Sequence, residues 1–230
     1  MEFYEELVNA TAKEREALMQ SPVIADCLTG RVSLETYVAF LTEAYHHVKH
    51  TVPLLMACGS RIPDSLGWLQ SAIVEYIDEE QGHERWILND IAACGADAAV
   101  AAATTPGMAT ELMVSFAYDS IARRNPISFF GMVLVLEGTS VAIATQAAEI
   151  IERELCLPRA AFTYLRSHGS VDQKHIGDYA RIVNRLEHPD DRLAVLHAAR
   201  MFFRLYADVF CRLPRASDGS SVGSSLRDVA

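Results

Sequence analysis

Apolar residues recur at helical spacing along most of the chain, and no alternating apolar and polar run bounded by turn residues occurs. The pattern predicts an all-α fold of seven to eight helices, with caps and prolines at suitable starts. The predicted helices are 2–20, 33–59, 64–95, 109–124, 126–155, 158–168, 172–187 and 189–213, with a loop over 95–107. We expect one domain over residues 1–213 and a disordered, Ser-rich tail over 214–230.

One predicted helix is apolar on every side. Residues 127–148 carry a single charge, Glu137, over roughly the length that spans a bilayer. A central helix of a helical bundle has the same composition, and Gly131, Gly138 and the carboxylate favour that interpretation over a membrane span. An unpaired buried carboxylate is unfavourable, so Glu137 needs a partner.

Composition and charge limit the binding partners and the cellular compartment that we expect. The 230 residues carry a formal net charge of −10 and are 50% hydrophobic. An acidic surface repels phosphates and anionic lipid, so we expect neither nucleic acid nor a membrane as partner. Five scattered cysteines without a Cys-x-x-Cys pair indicate reduced thiols, and the charged N-terminus is unlike a signal peptide. We therefore expect a cytoplasmic protein.

Three predicted helices carry residues of the metal-binding type. Glu80 and His83 form an E-x-x-H pair, and Glu80 stands in an apolar stripe. The second element is Glu137, and the third is the H-x3-D-x2-H run His168, Asp172 and His175. Carboxylates and imidazoles without a thiolate suit iron or manganese. Glu79, four residues before His83, is the alternative ligand to Glu80.

Each motif alone has a plainer interpretation. An E-x-x-H is often a surface pair, and Glu137 could be a buried acid bonded to a neighbouring hydroxyl. Asp172 could simply cap a helix. Joint occurrence with an acid in an uncharged core helix favours the metal site, with Glu80, His83, Glu137, His168, Asp172 and His175 as ligands and catalytic residues.

The order E-x-x-H, lone Glu, H-x3-D-x2-H resembles the haem-oxygenase-like di-iron oxidases. The segment 37–48 also resembles the second helix of the TenA and PqqC relatives, and segment 78–95 resembles PqqC. The overall likeness spans roughly residues 1–213. It implies a haem-oxygenase-like (TenA/PqqC-like) helical bundle that binds two Fe(II) per chain and uses dioxygen. The implied substrate is small and derived from a fatty acid or an amino acid. An external electron donor and a homodimer are further expectations.

At several positions this sequence differs from the TenA-type thiaminases and the haem oxygenases, and these differences help to choose between possible functions. Glu137 stands where TenA-type thiaminases place a nucleophilic cysteine, and Ala44 stands at their pocket Asp. Residues 1–30 contain no His that could ligate haem as in the haem oxygenases. The rival functions are a metal-free PqqC-like or TenA-like protein that binds a heterocycle, and a non-catalytic helical binding protein.

Two further expectations concern the pocket and the third motif. The resemblance makes the second helix a pocket wall, and the expected pocket residues are Glu43, Tyr45, His47, Phe116 and Phe130. Gly169 and Ser170 are poor helix formers between candidate ligands. We therefore expect segment 168–176 to become well ordered only when metal is bound.

Overall fold

The structure, a computed structural model, describes the backbone of residues 1–215 and their side chains except those of 168–174. Its helices are α1 (Phe3–Ala10), α2 (Ala12–Met19), α3 (Pro22–Leu28), α4 (Leu34–Val48), α5 (Thr51–Gly59), α6 (Gly67–Glu80), α7 (His83–Ala93), α8 (Ala98–Ala103), α9 (Met108–Arg123), α10 (Phe129–Leu155), α11 (Thr163–Asn184) and α12 (Pro189–Cys211). Residues 1–215 contain no strand. The all-α prediction is therefore confirmed, whereas the expected tail over 214–230 lies almost wholly outside the described residues.

Three long predicted helices are each two helices in the structure. The first is divided at Thr11, whose hydroxyl donates to the Leu7 carbonyl at 2.8 Å. The second divides after α4, and the third after α6. Apolar spacing continues across each break, which is why periodicity alone predicted single helices. The segment 95–107, expected to be a loop, contains α8 with Asp97 as its N-cap.

In the C-terminal third, two predicted helices form one helix in the structure. The predicted helices 158–168 and 172–187 are joined in one α-helix, α11, which runs from Thr163 to Asn184. Packing along α10 stabilises a helical backbone that Gly169 and Ser170 disfavour locally. The dependence of order on bound metal that we expect for segment 168–176 stays a prediction.

Helix α10 lies at the centre of the bundle, between α11 and α12. A side-chain carbon added to Gly131 would lie 2.5 Å from the Ala199 amide nitrogen of α12, so glycine is required by this close approach. Segment Pro126–Leu155 is long and apolar enough to span a membrane, but 67% of its most apolar window is buried in the fold. A buried core helix meets the same criteria.

Candidate metal centre

Glu80 and His83 meet across a break between two helices. Glu80 ends α6 and His83 begins α7. Gly82 between them has a φ of 95°, a left-handed value that glycine adopts without steric cost. His83 Nδ1 lies 3.0 Å from Glu80 Oε2, in a hydrogen bond between two buried side chains. This turn, and not the shared helical face that the sequence suggested, brings the pair together.

Two carboxylates and an imidazole from three helices converge in the interior. Glu80 on α6, Glu137 on α10 and His175 on α11 each offer a ligand atom, and these atoms all lie within 4.8 Å of one another. Glu80 is 9% exposed, His175 is 1% exposed, and the Glu137 side chain is 11% exposed. Two buried carboxylates this close repel each other unless a cation accompanies them. The three side chains therefore fit a divalent metal ion.

His175 is flanked by carboxylates on both ring nitrogens. Its Nδ1 lies 3.8 Å from Glu80 Oε1 and 3.8 Å from Glu137 Oε1. Its Nε2 lies 3.1 Å from Glu79 Oε2, and the Glu79 side chain is 35% exposed. Glu80 belongs to the converging cluster, whereas Glu79 approaches the far side of the ring. A carboxylate there can hold the ring orientation, as acids do behind metal-binding histidines.

The other three candidate ligands are His83, His168 and Asp172, which are not part of the converging cluster among the described side chains. His83 contacts the cluster through Glu80, and its ring stacks on Trp86 with centroids 4.0 Å apart. His168 and Asp172 lie on α11, but their side chains fall outside the described residues. Their part in the site stays a prediction.

Asp90 fixes the helix that carries His175. This fully buried residue of α7 accepts hydrogen bonds from the backbone amides of Thr163 and Tyr164 at 3.0 and 2.8 Å. These amides are in the first turn of α11, whose N–H groups have no partners inside the helix. Burial raises the pKa of the Asp90 carboxyl, and the two backbone hydrogen bonds oppose that shift. The cap ties α7, which begins at His83, to α11.

Tyr76 is a site residue that sequence reasoning missed. It lies one turn before Glu80 on α6, and its ring centroid is 5.8 Å from that of His175. Its buried hydroxyl has no hydrogen-bond partner among the described atoms. Burial raises the pKa of the Tyr76 phenol far above its usual range, and the charges of Glu137, Glu80 and Glu79 raise it further. The four-residue spacing from Glu80 was the available signal.

An apolar cavity of about 150 Å³ opens beside the cluster. Tyr76, Glu80 and Glu137 line one end of it, and most of its wall is aliphatic and aromatic. His47, an expected pocket residue, lines the cavity and places its ring edge against Tyr206. A largely apolar pocket with a few polar groups at one end is typical of a small-molecule site.

The other four expected pocket residues lie elsewhere. Glu43 accepts hydrogen bonds from the Gly107 amide and the Thr110 hydroxyl, so it joins α4 to α9. Tyr45 packs edge-on against His46. These two side chains lie on faces of α4 other than the one that His47 presents to the cavity.

The two phenylalanines expected in the pocket belong to the general core. Phe116 packs against Phe202 with ring centroids 5.1 Å apart. Phe130 is fully buried, and its carbonyl accepts a hydrogen bond from the Tyr179 hydroxyl at 2.9 Å. An aromatic residue on a helix predicts burial, but it does not predict which face lines a cavity.

Comparison with known families decides the affiliation. Residues 38–207 match the family described as iron-containing redox enzyme, and this segment contains every candidate ligand from Glu80 to His175. The chain belongs to this iron-containing redox enzyme family. No curated protein matches it.

Solved structures share the fold of this redox-enzyme family member. A domain of unknown function with a haem-oxygenase-like fold from Shewanella denitrificans has a TM-score of 0.82 at 23% identity, over 91% of this chain and 90% of that one. A TenA homologue from Pseudomonas syringae pv. tomato has a TM-score of 0.77 at 10% identity, over 93% and 92%. Haem oxygenase-1 from Synechocystis, solved with haem, has a TM-score of 0.72 at 11% identity, over 91% of each chain. The haem-oxygenase-like fold is thereby established.

Proposed function

We propose that this iron-containing redox enzyme is a non-haem di-iron oxidase that uses dioxygen to oxidise a small organic substrate with an apolar body. The observation that carries the proposal is the buried cluster of Glu80, Glu137 and His175 at the end of an apolar cavity. Membership of the iron-containing family indicates that the bound metal is iron. Carboxylate and imidazole are ligands that non-haem iron prefers. Two ferrous ions bound there would supply the reduction of dioxygen.

Different residues of this chain would bind the metal, orient a ligand and hold a proton. Glu80, Glu137 and His175 would hold metal, with His83 beside Glu80 and the predicted ligands His168 and Asp172 completing a second position. Glu79, 3.1 Å from His175 Nε2, would keep the ring in a fixed orientation. The buried phenol of Tyr76, whose ring centroid lies 5.8 Å from that of His175, would hold a proton close to the metal-facing carboxylates.

The apolar wall would orient the substrate and exclude water. Leu136 and Ile143 on α10 and Leu54 on α5 belong to this wall. A dry site strengthens electrostatic interactions around the metal and limits unproductive release of oxidising species. A metal-free TenA-like function would leave two neighbouring buried carboxylates without a purpose, so the cluster favours the oxidase.

Iron stoichiometry tests the proposal. The full chain is loaded anaerobically with ferrous iron, desalted, and analysed for iron and protein. We expect close to two irons per chain and an absorbance change when dioxygen is added. A chain that retains no iron, or one that binds iron without any reaction with dioxygen, would rule out the oxidase.

A further inference from the structure

Two buried hydroxyl groups of α10 line the cavity beside the candidate metal centre. They belong to Thr139, which is 6% exposed, and to Ser140, whose side-chain oxygen is buried. Neither oxygen has a hydrogen-bond partner among the described residues. A buried hydroxyl without a partner destabilises a folded protein, so two of them on one cavity wall need an explanation.

The two hydroxyls do not make the hydrogen bond that a helix offers them. A serine or threonine inside a helix can donate to the backbone carbonyl of the residue four positions earlier. Thr42 on α4 does so, and its hydroxyl lies 2.8 Å from the Val38 carbonyl oxygen. Thr139 and Ser140 make no such bond, although each has a described carbonyl four positions earlier. Their hydroxyls are therefore available to a molecule in the cavity.

Ser140 lies within a stripe of apolar side chains on one face of α10. The cavity-lining residues of this stripe are Leu136, Ile143, Ala144 and Ala147. At about 3.6 residues per turn, these four positions and Ser140 lie within about 100 degrees of one another around the helix axis. Ser140 follows Glu137 by three residues, which is about 4.5 Å along the axis. The hydroxyl thus lies about one turn from a candidate metal ligand, on a face that is otherwise suited to apolar contact.

Among the described residues, the carboxylate and guanidinium groups that line the cavity form two other sets. Glu80 and Glu137 belong to the candidate metal centre. In the second set, Asp26 accepts hydrogen bonds from Arg31 Nη2 at 2.6 Å and from Arg215 Nη2 at 2.7 Å. The two hydroxyls of α10 can donate and accept hydrogen bonds but carry no charge. Hydroxyls alone do not offset the cost of moving a charged group out of water, so this part of the wall suits an uncharged polar group.

We propose that Thr139 and Ser140 bind an uncharged oxygen group, an alcohol or a carbonyl, of an otherwise apolar substrate. This deepens the proposed function, on which it rests, by assigning the polar group of the substrate and its position. With that oxygen held at Ser140, the carbon atoms a few bonds away reach the candidate metal ligands about one turn along α10. The apolar stripe covers the rest of the molecule. An apolar cavity of about 150 Å³ accommodates one benzene-sized molecule.

Probes of similar size with and without an oxygen group test this site. Binding of benzyl alcohol and of toluene to the iron-free full chain is measured by isothermal titration calorimetry, with benzoate as the charged comparison. Ser140→Ala and Thr139→Val should each weaken benzyl alcohol binding by about three- to tenfold, because each removes one hydrogen bond to the probe. Toluene binding should change by less than about twofold. Benzoate should bind the parent chain more weakly than benzyl alcohol.

Ser120→Ala is the matched control. Ser120 on α9 is 3% exposed, and its hydroxyl also has no partner among the described residues, but it does not line the cavity. Loss of an unsatisfied hydroxyl should raise the melting temperature of Ser120→Ala and Ser140→Ala alike, by about 2 to 4 °C, which also shows that both variants fold. Only Ser140→Ala should lose affinity for benzyl alcohol.

Several results would overturn the assignment. The first is an unchanged affinity of Ser140→Ala for benzyl alcohol, or a loss that toluene or the Ser120→Ala variant shares. The second is tighter binding of benzoate than of benzyl alcohol, and the third is a parent chain that binds neither benzyl alcohol nor toluene. Because every measurement uses the iron-free chain, the outcome is independent of iron stoichiometry and of the reaction with dioxygen, which test the oxidase itself.

Discussion

His175 Nδ1 on α11 and Glu137 Oε1 on α10 lie 3.8 Å apart in the interior of the bundle, although 38 residues separate them in the chain. The sequence predicted that Glu137, the lone acid of an apolar helix, needs a partner, and His175 is close enough to be one. Glu137 is directed toward an imidazole and a second carboxylate, and the packing of α10 against α11 sets the distance. The stability of that packing is therefore a condition for the site.

Gly131 should be indispensable to the packing of α10. The carbon added in Gly131→Ala would lie 2.5 Å from a backbone nitrogen and 2.8 Å from a carbonyl oxygen of α12, and backbone cannot move aside easily. We expect a loss of about 2 to 4 kcal/mol in the free energy of unfolding, measured by urea denaturation. Gly138→Ala is the control on the same helix, because the added methyl meets open space. It should raise stability by about 0.5 to 1 kcal/mol. Equal effects of the two substitutions would contradict the close approach.

Gly82 should matter to metal binding more than to the core. Its φ of 95° turns the chain between Glu80 and His83, and Gly82→Ala introduces backbone strain of about 1 to 2 kcal/mol. We expect a modest fall in melting temperature and a larger fall in iron affinity, measured by competition with a chelator. Gly177→Ala, in helical α11 with open space around it, should lower neither quantity. Unchanged iron affinity in Gly82→Ala would show that the turn does not position the ligands.

How far the sequence predicted this structure depends on the element. Ser33 as an N-cap and the α10 segment after Pro126 were predicted correctly, because capping and composition are local signals. The breaks near His50 and Gly82 were missed, since apolar spacing continues through them. The unbroken α11 was missed because tertiary packing outweighs the weak propensity of Gly169.

The candidate site was predicted in part for similar reasons. Glu80 and Glu137 stand out in sequence as acids in apolar surroundings, and His175 stands out by its spacing from His168 and Asp172. The structure brings Glu80, Glu137 and His175 together. Arg31 and Arg215 carry no local signal as partners of Asp26, because this pairing depends on how the segment that follows α12 packs against α3. Long-range contacts of this kind do not follow from residue spacing.

Metal should protect the middle of α11 from hydrogen exchange. Gly169 costs about 1 kcal/mol relative to Ala in a helix interior, and Ser170 adds a smaller cost. Ligation by residues of the third motif would offset this cost. We expect slower amide exchange over 165–178 with ferrous iron than without it, under anaerobic conditions. Equal protection in the two states would mean that the segment is preformed.

Self-association is a separate expectation. Exposed apolar side chains include Met56, Val74 and Leu193, which are 57%, 65% and 61% exposed. Such surface is compatible with a homodimer interface. Light scattering coupled to size exclusion at micromolar concentration should give twice the chain mass of 25.4 kDa. A single-chain mass at every concentration would refute the dimer.

Dioxygen uptake by the ferrous-loaded protein tests the central claim most directly. An oxygen electrode is used to compare the parent chain with Glu137→Gln, and with Glu149→Gln as the control because Glu149 is exposed on the same helix. The parent and Glu149→Gln should consume dioxygen in proportion to bound iron. Glu137→Gln should lose at least about nine-tenths of that uptake, because one ligand of the cluster is neutral. Undiminished uptake in Glu137→Gln would contradict an oxidase built on Glu80, Glu137 and His175.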